Sequence, residues 1–551
     1  MQFTSVNKLI EKSLREHWEF AALSNYQGLT LCYKDVARRI AKLHIAFEQC
    51  GLEKGDKVAI CSRNQANWAV SFLATLTYGA VAVPVLHEFK PGNVQYLVNH
   101  SGAKVLFVDD VIWDELSADE MPGLYVVVQI NNFKFLHTSD SKFAEVREHL
   151  NESFGKKYPN YFGPEDLNYY EDSPEELAMI NYTSGSSGFS KGVMIPYRAL
   201  ISNIEFATKD AEPQFKEGMN VVSMLPMAHM YGLVIEFIYP LCNGTAIYWL
   251  GKAPTPAALL KAFAEVKPYL LITVPLVMEK IYKSKIKPTL DKPLVKFLLK
   301  VPGINNIIYS KVKSGLEQAF GGNVQEFIMG GAALNPEVEK VLKRIKFPYL
   351  VGYGMTEACP LLAYEHWTKY VPGSCGKAVD CATVRIDSED PEHIAGEIQA
   401  KGDNITIGYY KNPEASANAF TPDGFLHTGD LGIMDKDGNI FIKGRSKSMI
   451  LTANGQNVYP EEVEAVVNNQ PYVAESVVVD RAGKIVALVY LDNEAVSGDK
   501  LDEEAVSDIP EKVRKGANRS LPQYSQIAKV ETVLAPFEKT PKMSIKRFLY
   551  K

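Results

Sequence analysis

Residues 182–192 read Tyr182-Thr183-Ser184-Gly185-Ser186-Ser187-Gly188-Phe189-Ser190-Lys191-Gly192. Five Ser/Thr hydroxyls, three glycines and one lysine stand between two apolar runs, 177–182 and 192–197. Glycine lets a backbone approach a ligand closely and take up positive φ. Successive backbone N–H groups then form an anion-binding concavity, to which hydroxyls and the Lys191 ammonium add donors. A polyphosphate needs such a grip. Composition alone also fits a flexible Gly/Ser linker, but a linker has no reason to be flanked on both sides by strand-like runs or to carry a lysine beside its last glycine. A P-loop of the form G-x-x-x-x-G-K-[ST] opens a helix. Here Lys191 is followed by Gly192-Val193-Met194-Ile195-Pro196, which reads as a strand with a proline stop. The stretch predicts strand, phosphate loop, strand, and argues against the P-loop class.

At 551 residues the chain exceeds a single core, and about two to four domains are expected. Apolar content of 46% and charged content of 23% are those of an ordinary globular protein. The formal charge of −6 gives no general drive towards nucleic acid or an anionic membrane. Seven cysteines are scattered without a C-x-x-C pair, which predicts reduced thiols, mostly in cores, of a cytoplasmic protein. Met1-Gln2-Phe3-Thr4-Ser5 lacks a basic region followed by an apolar block, so no signal peptide is expected. No apolar run reaches the length of a membrane span; peripheral membrane contact stays open.

Residues 7–49 read as helix, turn, helix, with a short strand at 30–33 and apolar positions Val36, Ile40, Leu43 and Phe47 at helical spacing. Lys57-Val58-Ala59-Ile60-Cys61 is a buried-strand pattern. A small-residue helix over 68–79 and strands at 80–86 and 104–108 follow. Strands alternating with helices predict parallel α/β layers. Residues 111–172, rich in acidic and aromatic side chains, are expected to be surface excursions. Beyond the phosphate loop come a helix at 198–209 and a strand at 221–225 that leads into Pro226-Met227-Ala228-His229-Met230-Tyr231-Gly232, a loop with a histidine and an aromatic at its tip. A lone histidine is more often structural, but α/β proteins bind ligands at strand ends. Further units begin at 245, 270 and 326. The run Gly330-Gly331-Ala332-Ala333-Leu334 suits close approach to a flat ring, and Gly352-Tyr353-Gly354-Met355-Thr356-Glu357 ends a strand with an aromatic, a hydroxyl and a carboxylate. Those three offer stacking, a phosphate contact and a ligand for a hard cation. From about 373 to 443, short strands and Asp-Gly turns predict a small β-rich subdomain. A separate α+β domain of about a hundred residues follows. Its basic end carries Lys539, Lys542, Lys546, Arg547 and Lys551, which by composition reads as a solvated tail.

In this order the segments YTSGSSGFSKG (182–192), LPMAHMYG (225–232), GGAAL (330–334), GYGMTE (352–357), HTGD (427–430) and KGRSKSMI (443–450) resemble the adenylate-forming superfamily of acyl-CoA synthetases, luciferases and peptide-synthetase adenylation domains. Within it the likeness is strongest to long-chain fatty acid–CoA ligases, through GDLGIMDKDGNIFIKGRSKSMILTANGQNVYPEEVE. Amino-acid-activating relatives carry an aspartate after the aromatic of the second segment. Here Met230 to Val234 offers no acid, so an amine would be left unpaired and an apolar acyl pocket is expected.

The resemblance implies an α/β fold, with a large N-terminal domain of layered α/β subdomains plus a small β-rich subdomain over 1–445 and a mobile α+β C-terminal domain over 446–551. It also implies a two-step reaction. A fatty acid carboxylate attacks the α-phosphate of ATP and releases pyrophosphate; CoA thiolate then displaces AMP. By position, Thr183, Ser184, Gly185, Ser186, Ser187, Gly188 and Lys191 grip the β- and γ-phosphates, and Glu357 with the Thr183 hydroxyl holds Mg²⁺. Gly331, Ala332 and Tyr353 flank the adenine, Gly354 and Met355 belong to the same nucleotide-binding segment, Thr356 contacts the α-phosphate, and Asp430 and Arg445 hold the ribose. His229 shapes the acyl entrance, Lys447 is the hinge, and Gly455 lines the pantetheine channel. The family's final motif, P-[TS]-G-K-[IL]-x-[RK], is here Pro541-Lys542-Met543-Ser544-Ile545-Lys546-Arg547. Ser544 stands where the bridging lysine is expected. Lys546 is favoured over Lys542 as its replacement, because a two-residue shift along a strand keeps the same face. An acyl carrier protein as acceptor, an aromatic acid as substrate, and a non-catalytic acyl or nucleotide sensor are the alternatives.

Overall fold

The apolar runs Lys57–Cys61, Val81–Val85 and Ala103–Val108 carry almost no polar side chains, a pattern that suits strands covered on both faces. In the computed structural model, which describes residues 5–183, 191–211, 218–251, 256–451, 457–539 and 545–550, they are the parallel centre of a seven-stranded sheet. Its order is Phe135–Thr138, Val126–Gln129, Ala103–Val108, Lys57–Cys61, Val81–Val85, Leu177–Thr183, Lys191–Pro196, antiparallel only at the two outer pairs. A second seven-stranded sheet runs Tyr349–Val351, Glu326–Met329, Leu270–Thr273, Asn220–Ser223, Ala246–Trp249, Ala21–Asn25, Thr30–Cys32. It is parallel except at its last pair.

One continuous apolar core draws side chains from both sheets and from helices Tyr33–Gln49, Ala66–Tyr78 and Tyr197–Ala211. Helix Ala66–Tyr78 is apolar on nearly every side and buried along its length, as a helix between layers must be. Trp68 stacks on Phe72, which meets Phe237 edge-on, and Phe237 in turn meets Trp249 of the second sheet. Gly79 ends this helix at φ +87°, and a Cβ there would stand 2.9 Å from the Tyr170 ring, so only glycine fits.

The alternation of strand and helix is as expected, with one addition and two corrections. Residues 21–25 form a strand hairpinned to 30–32, so the helix–turn–helix reading of 7–49 missed the edge of the second sheet. Residues 91–101 are a helix. Residues 126–129 are no surface excursion: Val126, Val127 and Val128 are buried in the first sheet.

The chain packs as two compact units, Met1–Val384 with Ala400–Leu426, and Arg385–Gln399 with His427–Lys551. In the second, strands Val473–Arg481, Lys484–Leu491 and Lys529–Val533 form a sheet covered by helices Pro460–Val467 and Ile509–Asn518. Its hairpin turns through Ala482 and Gly483, both at positive φ, which keeps the twist of the strands. The second unit also contains the antiparallel hairpin of strands Leu426–Met434 and Ile440–Arg445 from His427 onward. Within this unit helix Pro460–Val467 packs on strand Ile440–Arg445, and Lys443 lies 3.3 Å from Glu462.

Candidate active site

Three of the motif segments follow the carboxyl ends of parallel strands of the second sheet. Asn220–Ser223 leads into 224–232, Glu326–Met329 into 330–334, and Tyr349–Val351 into 352–357. Leu177–Thr183 ends at the glycine-rich loop in the first sheet. Carboxyl ends of strands are where open α/β sheets bind ligands.

Strands Leu177–Thr183 and Lys191–Pro196 pair antiparallel, with Thr183 opposite Lys191 and Tyr182 opposite Gly192. Ser184, Gly185, Ser186, Ser187 and Gly188 lie outside the described residues, as do Gly455, Lys542 and Ser544. The strand–loop–strand frame is therefore in place, and the hairpin sets Thr183 and Lys191 side by side.

Lys191 and Glu357, far apart in sequence, meet through one tyrosine. The Lys191 Nζ stands 4.7 Å from the centroid of the Tyr409 ring, and Tyr409 Oη donates a 3.0 Å hydrogen bond to Glu357 Oε1. Burial and the Glu357 charge push the Tyr409 phenol up, so it remains a donor. The segment 403–410 is stitched to both neighbours by backbone. Thr406 N–H donates to the Glu357 carbonyl at 2.8 Å, Met194 N–H to Gly408 at 2.9 Å, and Tyr410 N–H to Gly192 at 2.8 Å. The Thr406 hydroxyl donates to the Met194 carbonyl at 2.6 Å. A cation, an aromatic donor and a carboxylate are thus fixed beside the strand ends that flank residues 184–190.

Within 352–357, Tyr353 and Thr356 are buried and Glu357 is half-buried. Gly354 is required by packing as well as by any ligand: a Cβ would fall 2.0 Å from the Pro360 carbonyl oxygen. Met355 N–H donates to that same carbonyl at 2.8 Å. Gly331 sits at φ +82°, and Gly331 and Ala332 are exposed, an open ledge after the strand.

The 225–232 segment differs from the expected loop with an aromatic tip. His229 is half-buried at the start of a helical stretch, and Leu233 N–H donates to its carbonyl at 2.8 Å. Tyr231 lies inside the first turn. Its ring abuts Gly330, where a Cβ would approach ring atoms at 3.0–3.1 Å, and burial pushes its phenol up. Gly232–Ile238 is a widened π-type stretch, a form frequent at functional sites. Buried Asn181, two residues before Thr183, donates to the Ala228 carbonyl at 2.9 Å, which ties this loop to the strand that leads into the glycine-rich loop.

Glu236 holds the other end. It is fully buried and accepts from Ser223 Oγ at 2.7 Å, Leu225 N–H at 3.0 Å and Met224 N–H at 3.2 Å. Burial pushes its carboxyl up to about 8 despite those donors. Burial disfavours its ionised form, and three donors from its own strand end already occupy both oxygens, so it offers no open counter-charge to an amine.

In the second unit Asp430 and Arg445 are cross-strand partners, with Arg445 Nε 2.7 Å from Asp430 Oδ1. Asp430 is buried and Arg445 exposed. Lys447 is exposed in the turn after that strand, where Ser446 N–H donates to the Gly429 carbonyl at 3.0 Å. Lys546 ion-pairs with Glu538 at 3.2 Å. The solvated-tail reading is corrected at Arg547, which is paired with Glu464 and lies 3.5 Å from Glu461. Burial still raises the Glu464 carboxyl to about 7.

Among the described residues no group of three or more His, Cys, Asp or Glu side chains gathers as a metal cage. Mg²⁺ needs none: it is commonly held by one or two carboxylates plus substrate phosphates. Glu357, oriented by Tyr409, and the Thr183 hydroxyl are oxygen donors of the right kind.

Parallel sheets whose strand ends carry a glycine- and serine-rich segment, a lysine and an oriented carboxylate are suited to a nucleotide-binding α/β enzyme. The chain belongs to the AMP-binding enzyme family: the model of the AMP-binding enzyme matches residues 10–410, and that of its C-terminal domain matches 447–550. The long-chain-fatty-acid–CoA ligase 5 of Rattus norvegicus is 28% identical over 478 residues, 79% of this chain and 67% of its own. The long-chain-fatty-acid–CoA ligase FadD15 of Mycobacterium bovis is 26% identical over 562 residues, 93% of this chain and 89% of its own. Among solved structures, ATP-bound MatB from Rhodopseudomonas palustris superposes with a TM-score of 0.77 at 24% identity, covering 99% of this chain and 98% of that one. The anthranilate CoA ligase AuaEII with anthranoyl-AMP gives 0.77 at 19%, covering 100% and 96%. These two likenesses establish the fold.

Tyr409, Thr406 and Glu236 were missed from sequence. The aromatic pair after a glycine in Gly408-Tyr409-Tyr410 was the only local signal for the first, and the second gave none. An acid inside the apolar run 233–242 was the signal for Glu236.

Proposed function

We propose that the protein is an ATP- and Mg²⁺-dependent fatty acid–CoA ligase acting on medium- to long-chain acids through an acyl-adenylate. The observation that carries this reading is the Lys191–Tyr409–Glu357 array beside the strand ends that flank residues 184–190. Joining a carboxylate to a triphosphate brings two anions together, so the site must offset charge and hold the reactants in line. Lys191 supplies positive charge to the β- and γ-phosphates together with the backbone of 184–188. Glu357 and the Thr183 hydroxyl hold Mg²⁺, which when bound neutralises phosphate charge. Thr356 donates to the α-phosphate, Gly331, Ala332 and Tyr353 flank the adenine, and Gly354 and Met355 belong to the same nucleotide-binding segment. Asp430 and Arg445 are assigned to the ribose hydroxyls, Lys447 to the hinge of a lid over 446–551, and Gly455 to the pantetheine path. Lys546 supplies the charge that Ser544 lacks.

The carboxylate oxygen attacks the α-phosphorus and pyrophosphate leaves. The CoA thiolate then attacks the acyl carbon and AMP leaves. His229 sits at the acyl entrance. The helical stretch behind it buries Leu233, Val234, Phe237 and Ile238, and its one acid, Glu236, is occupied by three donors from its own strand end. This favours an uncharged acyl chain over an amino acid. The fatty acid ligases among the relatives support the same choice.

The test is AMP release and thioester formation with ATP, Mg²⁺ and a panel of medium-chain, long-chain and aromatic acids, offered either CoA or an acyl carrier protein. Fatty acyl-CoA as the best product is expected. Preference for the aromatic acids or for the carrier protein would overturn the substrate assignment. Absence of any acyl-adenylate despite ATP binding would make the chain a sensor.

A further inference from the structure

Residues 280–313 carry nine lysines against one aspartate, with no arginine and no glutamate, in a chain whose net charge is −6. The same stretch holds apolar side chains that folding does not cover. Helix Pro293–Leu298 has no buried residue, and Leu294 and Phe297 are 69% and 66% exposed. On the next helix, Ile304–Ala319, Ile307 is 60% exposed and Ile304 is exposed too. Leu294 and Phe297 are three apart on one helix, and so are Ile304 and Ile307 on the other, so each pair shares a face. Lys292, Lys296 and Lys300 are exposed around the first pair and Lys311 beyond the second. Scattered single apolar residues on a surface need no explanation; paired ones on consecutive helices inside a lysine field do.

We infer that this face docks the protein on an anionic lipid bilayer. The combination is that of interfacial helices: aliphatic and Phe side chains enter the acyl boundary while lysines meet lipid phosphates. Among the described residues no helix is long and apolar enough to cross a membrane, so the contact is with the surface. Other occupants fit less well. A second copy of the chain meeting this face across a two-fold axis would set the same lysine field against itself. Single-stranded nucleic acid stacks its bases on aromatics, and of the exposed apolar groups here Leu294, Ile304 and Ile307 are aliphatic and only Phe297 is aromatic, while the guanidinium of the nearby Arg344 already lies over the Tyr309 ring. The ion pairs of Lys296 with Asp291, Lys287 with Glu337 and Lys313 with Glu317, at 3.1–3.9 Å, are exposed and weak enough to yield to lipid phosphates. The docking face does not depend on the ligase reading, and its test reads binding and not turnover.

The full chain is sedimented with vesicles of phosphatidylcholine alone and of phosphatidylcholine containing phosphatidylglycerol, at low and high salt. The expected result is partitioning to the anionic vesicles that weakens with salt. Each lysine near an anionic surface raises partitioning about fivefold, so Lys292→Gln/Lys296→Gln/Lys300→Gln should bind about a hundredfold more weakly. Leu294→Ser/Phe297→Ser should lower binding at least about tenfold even at low salt. These side chains are exposed, so an unchanged unfolding midpoint is expected for both variants. Wild-type protein that ignores anionic vesicles, variants that bind as the wild type does, or retention by RNA without vesicle binding would overturn the proposal.

Discussion

Replacing Tyr409 by phenylalanine removes one oxygen and leaves the ring. The ring keeps its place under Lys191, 4.7 Å from the ammonium, while Glu357 Oε1 loses its 3.0 Å donor. A hydrogen bond to a charged group contributes about 1.5–3 kcal/mol. Glu357 is half-buried, so water restores part of that, and about 1–2 kcal/mol of orientation is lost. If Glu357 holds Mg²⁺, this appears as a rise of about 5- to 30-fold in the Mg²⁺ needed for half-maximal exchange. The assay is ATP–pyrophosphate exchange across a Mg²⁺ titration. Tyr409→Phe should recover most of its rate at high Mg²⁺, whereas Glu357→Gln should fail at every concentration. Tyr409→Ala also loses the cation–ring contact, about 0.5–1 kcal/mol, and should fall below Tyr409→Phe even at saturating metal. A Tyr409→Phe enzyme with wild-type Mg²⁺ dependence would show the hydroxyl to be idle. A loss that no Mg²⁺ restores, with a lowered unfolding midpoint, would make Tyr409 purely structural.

Glu236 predicts a pH dependence of stability. Its folded carboxyl titrates at about 8 against an ordinary 4.5, so the folded chain keeps a proton that the unfolded chain sheds, and stability falls as pH rises through that window and levels off above it. The full effect amounts to about 4–5 kcal/mol; urea unfolding of wild type and Glu236→Gln should show a flatter slope in the variant, and identical slopes would refute the assignment. Gly330→Ala should destabilise by about 1–2 kcal/mol through overpacking against Tyr231, and Tyr231→Leu in the same chain should relieve it; simple additivity of the two in thermal unfolding would exclude that contact as the cause. Lys546→Ala should lose pyrophosphate exchange more deeply than Lys542→Ala, and the reverse order would move the bridging charge to Lys542.

The sequence made the layers legible where strands are covered on both faces, because no polar alternation interrupts 57–61, 81–85 or 103–108. It hid Ala21–Asn25, a short strand beside the hairpin edge with half-polar composition, and Val126–Gln129, whose valines sit in a stretch otherwise acidic and aromatic. The site was legible wherever a motif is contiguous. What no window of sequence carries is the closure between motifs: Tyr409 reaches Glu357 across 52 positions, and Asn181 reaches Ala228 across 47. Asp430 and Arg445 make the same point within a single hairpin. The Asp437-Gly438 turn pairs Met434 with Ile440, Ile433 with Phe441 and Gly432 with Ile442. That register, continued, would set Asp430 opposite Gly444 and leave the Arg445 guanidinium on the other face. A bulge between Leu431 and Gly432 shifts the pairing by one, with Lys443 as the extra residue, and puts Arg445 opposite Asp430. Only then do their side chains meet at 2.7 Å. The chemistry proposed for the pair thus rests on Lys443 being left out of the ladder: a chain lacking Lys443 should close the ladder without a bulge and keep Asp430 opposite Arg445, and separation of the two in that variant would refute this account of the register.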